Sequence, residues 1–148
     1  MDRLRPGDWT LITIASADRA SLSPVQLQKA LFLLGKELPG EVGDDFYEFV
    51  PYHYGPFSSA VSADAITLQR DDLVEIERPI GQRYVEYRVT TKGVAAAADL
   101  RARASVKAVE YLDQVVKWAR TRSFAELVRA VYAKYPDMQV NSVFAKPG

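Results

Sequence analysis

Few residues in this chain have the type and spacing that chemistry needs. Its single histidine, His53, stands between Tyr52 and Tyr54. An imidazole can serve as a general base only with a nucleophile or a substrate proton within hydrogen-bond reach. No Gly-x-Ser-x-Gly elbow accompanies it, and the chain has no cysteine, which also removes disulfides, thiolate nucleophiles and sulfur-ligated zinc. The pairs Asp44-Asp45 and Asp71-Asp72 offer oxygen ligands. A hard-cation loop spaces its ligands alternately, and neither pair lies in such a loop. No Gly-x-Gly-x-x-Gly or phosphate-binding loop occurs. The pattern predicts no catalytic residue, no cofactor and no metal. A hydrolase built on His53 is the weakest of three readings.

The remaining features suit binding. Phe46, Tyr47, Phe49, Tyr52, Tyr54 and Phe57 fall within one short stretch. Strand alternation buries only some of such a set in one core, and tyrosine is favoured at interfaces for its apolar area and hydrogen-bonding end. Core packing takes most of these rings, and the sharper expectation is a partner or ligand groove. The candidate partner-binding residues are Tyr47, Tyr52, His53, Tyr54 and Phe57, with Ser59 and Ser62 just beyond them. A second set could meet nucleic acid: Thr67, Gln69 and Arg70 on one helix face, Arg78 and Arg83 in a hairpin, and Arg101 and Arg103 in a basic stretch running to Arg122. Asp64 on the same helix would repel phosphate, and a charge run is most often a solvated face. Nineteen basic residues balance nineteen acidic ones, whereas phosphate-binding proteins usually carry a cationic excess.

These residues must be positioned by the elements around them. A first helix is predicted from Pro6 to about Ala17, with Asp8 as its N-cap and Leu11, Ile14 and Ala15 on one face. Ser23-Pro24-Val25-Gln26 is a capping box with proline at the first helical position. It opens a helix with an apolar stripe of Leu27, Ala30, Leu31, Leu34 and Leu38, stopped by Pro39-Gly40 and followed by a polar loop through Asp45. Residues 46–50 read as a short strand, Tyr54-Gly55-Pro56 as a turn, and 57–70 as a helix. The runs 73–77 and 84–89 alternate around Pro79-Ile80-Gly81-Gln82 and form a β-hairpin. A long, bent helix follows towards Arg122, and Ser123-Phe124-Ala125-Glu126 is a second capping box that opens a last helix ended by Pro136.

Helix, helix, short strand, helix and hairpin are the order of a winged helix-turn-helix. The expected fold is α+β, mainly α: one domain whose winged-helix-like core spans about 6–103, with a β-hairpin wing and a helical C-terminal extension over about 104–148. Fold and function are separate inferences, so this order does not establish DNA binding.

Two stretches also resemble a known family. Leu27-Gln28-Lys29-Ala30-Leu31-Phe32 looks like the helix motif of the Panacea, or SocA-like, antitoxins, some of which are described as phage-associated proteins. Tyr54-Gly55-Pro56-Phe57 and Ser58-Ser59-Ala60-Val61 are similar to that family's Tyr-Gly-Pro segment and the helix after it. The resemblance spans roughly residues 22–75. It implies a small protein of a toxin–antitoxin system that neutralises a toxin by binding it, or an adaptor to a protease, with no catalytic residues to carry over.

The expected function is therefore a non-catalytic module, antitoxin-like or an adaptor, that binds a partner protein such as a toxin or a protease. The alternative is a winged-helix transcriptional regulator that binds DNA, with a homodimer formed through the C-terminal helices. No apolar run approaches the roughly 18 residues that a membrane span requires. No signal peptide is read at the start, and a cytoplasmic, membrane-free location is expected.

Overall fold

The computed structural model describes residues 3–144. Among the described residues there are seven α-helices and two small antiparallel hairpins, so the class is α+β, mainly α. The last four residues of the expected extension lie outside the described residues.

The first helix, α1 (Pro6–Ala15), lies at the centre. The expected single apolar face is too narrow a description, because every residue from Trp9 to Ile14 is buried. A helix enclosed on all sides must find partners for its polar side chains internally, which the threonines do and Trp9 Nε1 does not. Thr13 Oγ1 donates to the Trp9 carbonyl at 2.7 Å, and Thr10 Oγ1 bonds Tyr47 Oη at 2.8 Å. Asp8 is not the N-cap. Pro6, with φ already set for a helix, starts the turn earlier, and Asp8 instead accepts from the Arg5 amide at 2.9 Å.

Local chemistry sets the next helix as expected. Ser23 and Gln26 form the reciprocal capping box, and α2 spans Pro24–Glu37. The polar loop after it holds one turn of helix, α3 (Pro39–Val42), which buries Val42. Residues 46–49 are not a strand. Phe46, Tyr47 and Phe49 pack edge-to-face with one another and, through Phe49, with Phe32. Strand β1 is Val50–Tyr52 and pairs with β2 (Gly55–Phe57) across a His53-Tyr54 turn. Pro51 faces Pro56. Their register places them at a position where neither amide is needed, which is how a two-stranded hairpin tolerates both prolines.

Helix α4 spans Ser59–Arg70, and β3 (Val74–Glu77) pairs with β4 (Glu86–Val89). Leu22 extends this pairing, exchanging two backbone hydrogen bonds of 2.9 Å with Tyr87. Val74, Tyr87 and Val89 turn inward, and Glu75 and Glu77 turn outward. The long helix expected after the hairpin is two helices, α5 (Thr91–Arg103) and α6 (Val106–Arg120), because Ser105 caps a new start by accepting from Ala108 N. Ser123 and Glu126 then box the start of α7 (Phe124–Lys134), and a 3-10 turn (Pro136–Gln139) follows. One hydrophobic cluster runs from Leu4 through α1, α2 and α5 into Leu112 and Val116 of α6 and on to Met138.

The start of α5 sits directly on the carbonyl of Leu73. A Cβ at Gly93 would lie 1.9 Å from that oxygen, a backbone atom with little room to move. Gly93→Ala is expected to lower stability by at least about 1–3 kcal/mol, the usual range for overpacking. Gly40→Ala, with nothing within 4 Å, should be close to neutral. Thermal and denaturant melts of the two variants check this.

Candidate functional site

Helical spacing brings Val25, Gln28 and Lys29 to one face of α2. That face meets the β1–β2 hairpin. The Gln28 amide grips the backbone of Ser58 twice: Nε2 donates to the Ser58 carbonyl and Oε1 accepts from the Ser58 amide, each at 2.9 Å. Lys29 is only 3% exposed, and Nζ donates to the Pro56 carbonyl at 3.4 Å. Gly55 makes this approach feasible. Its φ is +106°, and a Cβ there would lie 3.2 Å from Tyr132 and 3.3 Å from Lys29.

The result is a groove of about 250 Å³ between the first turn of α2 and the hairpin. Tyr52, His53, Tyr54 and Phe57 line the hairpin side, with Tyr84 and Phe124 at its rim. The His53 ring stacks on Tyr52 at 4.2 Å, Phe57 lies 5.2 Å from Tyr52, and Tyr54 meets Phe124 edge-on at 5.0 Å. Tyr52, Tyr84 and Phe124 remain 47%, 48% and 41% exposed. The chain after the 3-10 turn holds the hairpin from its far side. Asn141 Nδ2 donates to the Pro51 carbonyl at 3.1 Å, and Val143 N and Ser142 Oγ donate to that of His53 at 2.9 and 3.2 Å.

Lys29 is the electrostatic feature of the site. Burial pushes its ammonium from the usual 10.5 down to about 7, because the charged form loses its water. No carboxylate is among the groove's lining residues.

The other expected site residues disperse. Tyr47 is half-buried and lies outside the groove lining. Its hydroxyl donates to Asp64 Oδ2 at 2.5 Å and also meets Thr10, and burial together with the neighbouring Asp64 pushes the phenol well up. Ser59 is exposed and Ser62 half-buried, both outside the groove lining. Thr67, Gln69 and Arg70 are exposed on α4. Beside them runs a broad trough whose lining includes Asp8, Glu48, Asp64, Asp71 and Asp99 against Arg5 and Arg103. Arg78 donates to the carbonyl of Arg83 at 2.8 Å, both exposed in the β3–β4 connection. Arg101 is engaged internally: it forks onto Asp113 at 3.1 and 2.6 Å and reaches Ser16 at 3.4 Å.

Sequence reasoning missed Gln28 and Lys29 as site residues, along with Tyr84 and Phe124. The signal for the first two was a polar pair set inside the run Leu27 to Leu34, where a core helix would carry apolar side chains. Tyr84 and Phe124 reach the groove only through tertiary packing. No protein-family model matches the chain, and no curated protein matches it at a significant level.

The lowered Lys29 pKa makes stability depend on pH. Below pH 7 the amine is charged in both folded and unfolded chains, and its burial cost is fully present. Between pH 7 and about 10 the unfolded chain keeps a proton that the folded chain has released. Stability therefore rises with pH, by at most about 1.4 kcal/mol per unit from this group. Above pH 10 the tyrosines reverse the trend, because Tyr111, pushed up to about 12 mainly by burial, ionises first in the unfolded chain. Lys29→Met should stabilise the protein at pH 6 and flatten the rise between pH 7 and 9. Denaturant melts across that range check it, and parallel curves for the two proteins would refute it.

Proposed function

We propose that this protein is a non-catalytic binding module, antitoxin-like or an adaptor, that docks a segment of a partner protein in the groove between α2 and the β1–β2 hairpin. The observation that carries this reading is the convergence of Tyr52, Tyr54, Phe57, Tyr84 and Phe124, several of them well exposed, around one apolar depression. Clustered aromatic side chains with apolar bodies and polar ends are the residues on which protein interfaces rely.

The frame around the groove is read as a winged helix. In that reading α1, α2, α4 and the β3–β4 hairpin supply the three helices and the wing. The short strand expected at 46–50 is absent, and the isolated Leu22–Tyr87 bridge, between α1 and α2, is among the described residues the one strand-like pairing outside the hairpins. The connection between α2 and α4, a short turn in a DNA-reading protein, here carries α3 and the aromatic hairpin. The two stretches that resemble Panacea or SocA-like antitoxins are the two halves of the clasp, Gln28 and Lys29 on one side and Pro56 and Ser58 on the other. This supports a partner of the toxin or protease kind.

The regulator reading retains exposed Thr67, Gln69, Arg70, Arg78, Arg83 and Arg103. The acidic trough along α4 weighs against phosphate there. Arg101 contributes little to it, being tied to Asp113. Homodimerisation through α6 and α7 would have to use their outer faces, which are polar apart from exposed Val106 and Phe124, since Leu112, Val116, Leu127 and Val131 are buried. Among the described residues no helix is long and apolar enough to cross a membrane.

The test is affinity purification from the native host under matched conditions. The wild-type chain should retain one stoichiometric protein, and Tyr54→Ala with Phe124→Ala should lose it, each aromatic costing about 2 kcal/mol or more. Arg70→Ala with Arg78→Ala should retain it. Enrichment of one promoter instead, abolished by raised salt and by the arginine changes, would replace this reading with the regulator.

A further inference from the structure

The docking groove has an unusual floor. An apolar depression that accepts only hydrophobic side chains needs no buried amine, yet Lys29 lines this one at 3% exposure. An ammonium has three donors. Among the described residues only one is used, in a bond of 3.4 Å to Pro56. No carboxylate among the lining residues offers it a counter-ion.

A second feature points the same way. Ser23, Pro24 and Val25, the start of α2, line the groove one turn above Lys29. The capping box takes the amides of Ser23 and Gln26 and Pro24 has none, so the first turn offers the amide of Val25 together with the positive end of the helix dipole. Val25 and Lys29 share a face at i and i+4, so the helix end and the ammonium act on the same space. Both favour an anion.

The shape narrows the choice of anion. At about 250 Å³ the groove lies at or below the small end of ligand sites, roughly 300–1,000 Å³. Strand addition is obstructed on both sides of the hairpin. Gln28 and Lys29 bond β2 and its continuation at Ser58, while Asn141, Ser142 and Val143 bond the carbonyls of Pro51 and His53. A partner strand running through would find those groups taken. A chain end would not need them: its last side chain can pack between Phe57 and Phe124, and its terminus can meet the amine.

We propose that the groove receives the C-terminus of the partner chain, with the free α-carboxylate paired to Lys29 and the first turn of α2, and an apolar last side chain among the aromatic rings. This rests on the docking reading and names the part of the partner that is read.

The experiment uses the full chain labelled with 13C at lysine Cε. It is titrated by NMR with acetylated tetrapeptides ending in Val, Leu or Phe, each as the free acid and as the C-terminal amide. At least one free acid should bind and move the Lys29 signal, with its amide at least tenfold weaker. Lys29→Met, shown by its melt to be folded, should remove that preference. Failure of every free acid to move the Lys29 signal overturns the proposal. Equal affinity for acid and amide also overturns it, as does a peptide with an internal Glu and an amidated end binding as tightly as the best free acid. The docking reading is judged separately. If Tyr54→Ala and Phe124→Ala weaken equal acid and amide binding, the groove stands without its carboxylate. If they leave binding unchanged, the groove itself is wrong.

Discussion

The arrangement depends on a polar clasp within an apolar helix. Gln28 takes both the amide and the carbonyl of Ser58, doing for that residue what a neighbouring strand would do. A buried amide without partners costs about 1–3 kcal/mol, so the Gln28 side chain tolerates only the register that places Ser58 opposite it. Ser58 ends the hairpin segment and is the residue from which α4 starts. One side chain thus ties three elements together: α2, the aromatic hairpin and the helix after it. Lys29 secures the same strand through Pro56, but at the cost of a desolvated amine.

The helices that follow α5 belong to this arrangement. Helix α6 packs its buried face onto α2, and α7 delivers Phe124 to the groove rim and Tyr132 to the back of Gly55. Glu37 at the end of α2 is gripped by Lys134 at 2.7 Å and by Tyr135, contacts that hold its carboxyl below the usual carboxylate range. These links are exposed and contribute little stability individually. Their effect is orientation, because they fix α7 against the helix that carries Gln28 and Lys29.

The parts legible in the sequence were those set by local chemistry. Ser23 and Ser123 cap helices because the capping box is complete within four residues, and 73–89 reads as a hairpin because Val74, Ile76, Tyr87 and Val89 alternate around a proline-glycine turn. The aromatic hairpin was not foreseen, because the sequence reads as a lone strand at 46–50 and a turn at Tyr54-Gly55-Pro56. Propensity favoured 46–50 as a strand, whereas Phe46, Tyr47 and Phe49 are recruited by ring packing with one another and against Phe32, and pairing moved to a segment containing two prolines. The break at Ser105 was hidden by strong helix formers on both sides. The groove itself was half legible. Tyr52, His53, Tyr54 and Phe57 were marked by their density, while Tyr84 and Phe124 come from distant parts of the chain and Lys29 looked like one more residue of an amphipathic helix. Arg101 could not be separated from its basic neighbours by sequence alone, because its partner, Asp113, sits on the next helix.

The bonds from residues 141–143 to Pro51 and His53 also set an order of assembly. The side chain of Asn141 meets the carbonyl of Pro51 across 90 positions of sequence. Contacts of such long span form late, since the chain between must first be ordered before they contribute. Helix α2 and the β3–β4 hairpin can organise from nearby residues, but the back of the groove is completed only when the segment beyond α7 has folded over it. During synthesis the chain would therefore acquire its scaffold before its groove. A ribosome-bound intermediate that has not yet released residues 141–143 would present the aromatic hairpin unsupported.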